Sequence, residues 1–426
     1  MGKRIKPKII IGSWVFLGVI GILFITLGLS SFMYNLVMTN SHTNFKMFFT
    51  ITGILLVLIS VKISIRSIIN AVKNNKPNGN IGKEELNKMI YKDRMLSKGP
   101  KIVAIGGGTG LSILLRGLKE YTSNITAIVT VADDGGGSGI LREDLGMLPP
   151  GDIRSCILAL ANTEPTMEKI LQYRFKEGSL KGQNFGNLFI AAMNEIYGSF
   201  ELAIKETSNV LAVTGKVLPM TLDDVTLYAV LENGDIVAGE SNIPLKNKEA
   251  LSKIDRIYMK PEITYPLAEA VEAVKEADII VLGPGSLYTS VIPNLLVNDM
   301  SDYICESNAT KVYIPNVMTQ PGETDNYTVF DHVEAILKHS CQDLLDYVIV
   351  NVEKIPEETL EKYKEDGSKP VILTEEDEKK LKKLNIKIIK DNLIEVKKDY
   401  IRHDSLKASE IIFNLSKENK DKKAYF

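Results

Sequence analysis

Residues 101–112, KIVAIGGGTGLS, end an apolar run in glycine and pass at once into a helical pattern. A loop of that composition lets backbone N–H groups close on an anion. Gly106, Gly107, Gly108 and Gly110 tolerate positive φ and close approach, and Thr109 adds a hydroxyl. The helix that follows would contribute free N–H groups and a partial positive charge. No Gly-Lys-Ser/Thr follows, so this is not a Walker A motif. The spacing is G-x-G-x-G, not the dinucleotide fingerprint G-x-G-x-x-G. A phosphate cradle and a purely structural tight turn both fit it.

Three further loops carry unusual residues. ADDGGGSG (132–139) places Asp133 and Asp134 before Gly135 and Gly136. An acidic residue there would hold a ribose hydroxyl in a dinucleotide-binding fold. The doubled aspartate could instead hold Mg²⁺ beside a diphosphate, with the glycines forming a second anion concavity. A solvated Asp-Gly turn is the plainer alternative. In LPPGDIRSCILALA (148–161), Asp152 is placed to cap a helix, and Arg154 opposes the dipole in its first turn. A nearby anion or a surface salt bridge would explain that arginine. In LGPGSLYTS (282–290), Gly283 and Gly285 shape a strand-to-helix turn, and Ser286, Tyr288 and Thr289 offer hydroxyls. Ser286 is not in a G-x-S-x-G elbow, so no hydrolase nucleophile and no catalytic residue is assigned. GQNFGNLFIAAM, with Asn184 and Asn187, and NVMTQPGETDNYT, with Asn316, Thr319, Gln320 and Thr324, suit a sugar or nucleobase, or simply helix caps and loops.

These loops need elements to position them. KIVAI (101–105), ITAIVTVA (125–132), DIIVLG (278–283), KVYIPNV (311–317) and YVIVNV (347–352) read as strands. Leu111, Leu114, Leu115 and Leu118 share one face of the helix after the first strand. Strand, loop, helix, strand is the pattern of an α/β fold: a Rossmann-like parallel sheet with helices on both faces. In such sheets ligands bind beyond the strand C-termini, where the unusual loops fall.

At 45% hydrophobic, the 426 residues can build a large core, and a net charge of −2 gives no basic excess for nucleic acid. Cys156, Cys305 and Cys341 form no C-x-x-C pair, so neither a zinc site nor a disulfide framework is expected. His42, His332, His339 and His403 form no H-x-x-x-H pattern.

The N-terminus reads differently. No charge occurs from Ile9 to Phe45, and a second apolar run covers Phe45 to Ile65. Two such runs predict a transmembrane hairpin over 1–70. Lys3, Arg4, Lys6 and Lys8 before it, and Lys62, Arg66, Lys73 and Lys76 at its far end, put both termini in the cytoplasm. The expected localisation is the cell membrane, with the remaining domain cytoplasmic. Residues 71–98 read as a polar linker, 99–415 as the Rossmann-like domain, and 416–426 as a polar tail.

The motifs GGGTGLSILLRGLK, VTVADDGGGSGILRED, PPGDIRSCILALA, GNLFIAAM, VLGPGSLYTSVIPNLLV and NVMTQPGETDNYT together resemble the bacterial gluconeogenesis-factor family (YvcK/CofD-like) over about 101–412. The resemblance implies a Rossmann-like fold that binds UDP-sugars, chiefly UDP-N-acetylglucosamine. It implies a role in cell shape and peptidoglycan-precursor supply during gluconeogenic growth, through effects on glucosamine-6-phosphate synthase or another wall-precursor enzyme. An oligomer is compatible with it. The related branch contains 2-phospho-L-lactate transferase, so a Mg²⁺-dependent transferase using a nucleotide-diphosphate donor is the alternative. Asp133 and Asp134 would then hold the metal. Carried over, Gly106 to Gly110, Asp133 and Asp134 match nucleotide-side loops, and Asn187 with Gly283 to Thr289 match the pocket wall. Tyr363 and Arg402 match a tyrosine and an arginine associated with UDP-sugar binding. Arg402 suits a diphosphate because its planar fork can donate two hydrogen bonds. Gly137 and Ser155 depart from the family pattern, where Ser and Asn are usual, and the N-terminal hairpin is an addition to it.

Overall fold

The computed structural model describes residues 19, 20, 22–26, 51–63, 91, 94–163, 165–397 and 400–424. The chain divides into two compact units, residues 1–91 and 92–426. The first corrects the sequence reading. Among the described residues no helix is long and apolar enough to cross a membrane. The described helical stretch over 51–63 covers about 20 Å at a rise of about 1.5 Å per residue, against a hydrocarbon core of about 30 Å. The two-span hairpin is therefore not supported, nor is the cell-membrane location with its cytoplasmic orientation that rested on it. The rest of both predicted spans lies outside the described residues, as does most of the predicted linker.

The second unit is built on seven parallel strands in the order β10-β9-β8-β7-β1-β2-β3. These are β1 (Ile102–Gly106), β2 (Ile125–Val129), β3 (Lys216–Pro219), β7 (Ile279–Leu282), β8 (Thr310–Tyr313), β9 (Tyr347–Asn351) and β10 (Lys387–Asp391). Every residue of β1 and β7 is buried, as expected for central strands covered on both faces. From β1 the chain walks outward through β2 and β3. It then returns to β7, on the other side of β1, and walks the opposite way. Right-handed crossovers send connections that walk in opposite directions to opposite faces. The connections leaving β1 and β7 therefore pass to opposite faces, and the boundary between these two strands is where a crevice is expected at the strand C-termini.

Helix α1 (Gly108–Leu118) follows β1 and buries Leu111, Leu114, Leu115 and Leu118, the stripe read from the sequence. It begins earlier than its leucines suggest, inside the glycine loop. Helices α2 (Gly136–Leu145), α3 (Gly151–Leu160), α4 (Phe185–Tyr197), α5 (Val329–Lys338), α6 (Glu357–Asp366) and α7 (Ser405–Ala424) complete the elements used below. Two small antiparallel additions accompany the main sheet. One is β4 (Thr226–Leu231) between β5 (Ile236–Ala238) and β6 (Ile254–Lys260); the other is the hairpin β11 (Ile394–Lys397) with β12 (Tyr400–His403). The expected absence of disulfides is corrected as well. Cys305 and Cys341 are bonded across a sequence separation of 36, which no local spacing signals; Cys156 is free and buried.

Candidate functional site

Helix α1 has no side-chain cap: Gly107 precedes it and Gly108, at φ +65°, starts it in the left-handed region that favours glycine. Its first amide is already engaged. The Gly108 N–H donates to Asp152 Oδ2 at 2.6 Å. Asp152 thus leaves its own helix; α3 is preceded by Pro150 and has no side-chain cap, contrary to the capping role read from sequence.

The β1 and β7 loops touch. A Cβ on Gly110 would lie 2.1 Å from Pro284 O, and one on Gly107 would lie 2.5 Å from Asp152 Oδ2 and 2.7 Å from Thr130 Cγ2. Only glycine permits both approaches. Gly283 lies against Leu111, where a Cβ would come 2.9 Å from Cδ1. The Gly285 N–H donates to Asn316 Oδ1 at 3.1 Å, and Gln320 Nε2 donates to Ser286 Oγ at 2.7 Å. The segment after β8 therefore braces the β7 loop.

A cleft of about 450 Å³ opens there. Gly107 to Gly110, Gly285, Ser286, Tyr363 and Arg402 all line it. Tyr363, on α6, accepts the Ile401 N–H at 2.9 Å and meets Tyr400 edge-on at 6.4 Å between centroids. It clamps the hairpin that carries Arg402. Arg402 makes no ion pair among the described residues.

The other nominated residues sit elsewhere. Gly106 ends β1 beneath the loop. Tyr288 is 2% exposed and its hydroxyl pairs with Tyr327 OH at 2.7 Å. Thr289 is buried and donates to Glu323 Oε1 at 3.4 Å. Both belong to the interior side of a π-helical turn over Leu287–Val291 and not to the cleft wall. Asp133, Asp134, Gly135, Gly136 and Asn187 gather beyond Gly107, on the Asp152 side. Asp133 Oδ1 accepts the Gly135 N–H at 2.9 Å. Gly136, at φ +50°, faces open space. Asp134 spends both oxygens on backbone, accepting from Glu240 N–H at 3.0 Å and Ser241 N–H at 2.9 Å. It ties α2 to the chain leaving β5. Among the described residues no group of three or more His, Cys, Asp or Glu is arranged to hold a metal ion. Each Asp134 oxygen thus spends one acceptor site on a backbone N–H.

Sequence reasoning missed a group of reluctant carboxyls here. Burial, and then the Asp133 charge, raise Asp152 to about 6. Burial, followed by the charges of Asp133 and Glu323, raises Glu240 to about 8. Burial raises Glu323 to about 7 against the Thr289 hydrogen bond, and burial also raises Asp133. Glu323 lay within a noted motif; Glu240 had no signal, because only the tertiary contact with Asp134 brings it here.

Residues 102–394 match the family described as 2-phospho-L-lactate transferase CofD. A relative from Clostridium acetobutylicum is 51% identical over 413 residues, 96% of this chain and 90% of its own length. The protein named gluconeogenesis factor in Bacillus subtilis is 48% identical over 75% of this chain and 99% of its own. A crystal structure from Bacillus halodurans, described as a member of the UPF0052 family, superposes with a TM-score of 0.70 at 48% identity, covering 73% of this chain and 98% of that one.

Proposed function

Because the chain belongs to the gluconeogenesis-factor family, with its CofD-type domain, we propose that it binds a nucleotide sugar, UDP-N-acetylglucosamine or a close relative. The diphosphate lies against Gly107 to Gly110 and Gly285, Arg402 pairs with it, and Tyr363 offers its ring to the uracil. The observation that supports this reading is one cleft lined at once by both glycine loops, Tyr363 and a guanidinium without an ion pair among the described residues. The bound state acts as a signal in wall-precursor supply and cell shape during gluconeogenic growth, with an enzyme of the glucosamine-6-phosphate synthase type as the partner.

Thermal melting of the full chain tests this. A ligand that binds only the folded state at about 100 times its Kd stabilises by about 2.7 kcal/mol. UDP-N-acetylglucosamine at millimolar concentration should raise Tm, and Arg402→Ala should remove most of the rise. No shift in the unsubstituted protein refutes the proposal.

A second reading, group transfer from a nucleotide-diphosphate donor, draws on the description of the matched family and on Asp152. That carboxyl, near 6 and within 2.6 Å of the Gly108 nitrogen, could exchange a proton beside a bound phosphate. Product formation from a nucleotide-diphosphate donor, lost in Asp152→Asn, would favour it.

A further inference from the structure

The small antiparallel sheet has one covered edge and one open edge. On the β6 side, the Ile257 N–H donates to His339 Nε2 at 3.0 Å, and Asp255 O accepts from Lys338 Nζ at 2.7 Å, so the end of α5 closes that edge. On the other side β5 pairs with β4 alone among the described residues. The register sets Val237 opposite Ala229, between the bonds from Leu231 N–H to Asp235 O and from Gly239 N–H to Leu227 O. Antiparallel ladders alternate, so Val237 spends its backbone groups on β4 while Ile236 and Ala238 turn theirs outward. Asn242 Nδ2 donates to Ala238 O at 3.0 Å. The other outward groups have no partner among the described residues.

There is room beside this edge. A groove of about 610 Å³ is lined by β5 and by the helix Asn242–Ala250, with Lys246 and Glu249 on its wall. Ile236, Leu245 and Leu251 are 62%, 63% and 92% exposed, so large apolar side chains stand in water on these two elements and just past them. Such exposure marks an interaction surface. Within Ile236–Ala238 there is no proline and no charge, two usual guards of a free edge; only shortness protects it.

We infer that β5 pairs antiparallel with β5 of a second copy of this chain across a twofold axis. With the axis at Val237, Ile236 lies opposite Ala238 of the partner subunit, and the outward N–H and C=O groups meet each other. An isologous contact of this kind closes at two subunits. The charges of the groove suit the same occupant. Lys246 and Glu249 are both exposed and bridge at 3.1 Å within one chain. An axis midway between them brings Lys246 to Glu249 of the partner subunit and the reverse, so the helices meet with unlike charges in register.

Sedimentation equilibrium of the full chain tests this in the unsubstituted protein, Ile236→Lys, Lys246→Glu and Glu249→Lys, each checked for folding by circular dichroism. All three side chains are exposed, so the fold does not depend on them. The unsubstituted protein should pass from monomer to dimer between about 1 and 100 µM, since a short edge makes few bonds. Ile236→Lys puts a charge on the edge and should keep the protein monomeric. Either charge reversal alone sets like charges across the axis and should weaken the dimer about tenfold. Mixing Lys246→Glu with Glu249→Lys restores unlike pairs at both positions, and the mixture should dimerise as the unsubstituted protein does. A monomer throughout, a series of higher oligomers, a dimer indifferent to Ile236→Lys, or a mixture no tighter than its components would each overturn the proposal.

Discussion

Asp152→Asn should make the protein more stable at pH 8. The carboxyl titrates near 6 in the fold against 3.8 for the free side chain, because burial and the neighbouring Asp133 charge penalise ionisation. Below 3.8 it is protonated in both folded and unfolded states and costs nothing. Between 3.8 and about 6 the folded state holds more protons, so stability falls as pH rises. Above about 6 the full cost is present. That gap, at about 1.4 kcal/mol per pKa unit, is about 3 kcal/mol. Asp152 keeps a partly accessible face where water screens the charge, so about 1–2 kcal/mol is the expected gain. Asparagine keeps an oxygen to accept the Gly108 N–H, so the contact between α1 and α3 survives. The assay is thermal melting of both proteins at pH 5 and pH 8. The variant should melt about 2–4 °C higher at pH 8, and the difference should shrink by about half at pH 5. Glu240 and Glu323 are raised in the same direction, so the difference between the two proteins carries the test, not either profile alone. A variant that melts lower at pH 8, or a difference independent of pH, refutes the assignment of buried charge to Asp152.

Gly110→Ala should cost about 1–3 kcal/mol, because its Cβ would fall on the Pro284 carbonyl and push the two glycine loops apart; denaturant melts would register the loss, and UDP-N-acetylglucosamine affinity should drop with it. Asp134→Asn should destabilise by about 1–3 kcal/mol, since one of the two amides it accepts from would face an NH₂ group; an unchanged midpoint would remove its structural role. Tyr363→Phe should lose about 1 kcal/mol by freeing the Ile401 N–H, and unchanged amide exchange at Ile401 would count against that clamp.

What could be read from the sequence follows from how local each signal is. The strands β1, β2, β7, β8 and β9 were legible because buried parallel strands are short apolar runs bounded by glycine or asparagine. β10, KIIKD, lies at the sheet edge and carries charge at both ends, so its pattern is weak. β3 has only four residues, one of them Pro219. The glycine loops were legible because a backbone that must pass within reach of another backbone cannot carry a Cβ, and that constraint is written at each position separately. The apolar N-terminal runs were legible as composition, but a span requires a helix of sufficient length, and among the described residues none is long and apolar enough.

Roles that depend on a distant partner were harder to assign. Asp133 and Asp134 are adjacent and chemically identical, yet one carries a carboxyl raised by burial while the other is consumed by the backbone at Glu240 and Ser241. Tyr288 and Thr289 follow Ser286 by two and three residues, yet the π-helical turn directs them inward to Tyr327 and Glu323 while Ser286 lines the cleft. The same logic separates the two arginines. A cation in the first turn of α3 opposes the helix dipole, which marked Arg154 as anomalous without saying why. The fold supplies the reason: the side chain is packed against Gly186 and held near Asp133 and Asp152, whose charges offset part of the cost of burying it. The anomaly visible in sequence is then the trace of two carboxyl groups that only the fold brings beside this arginine.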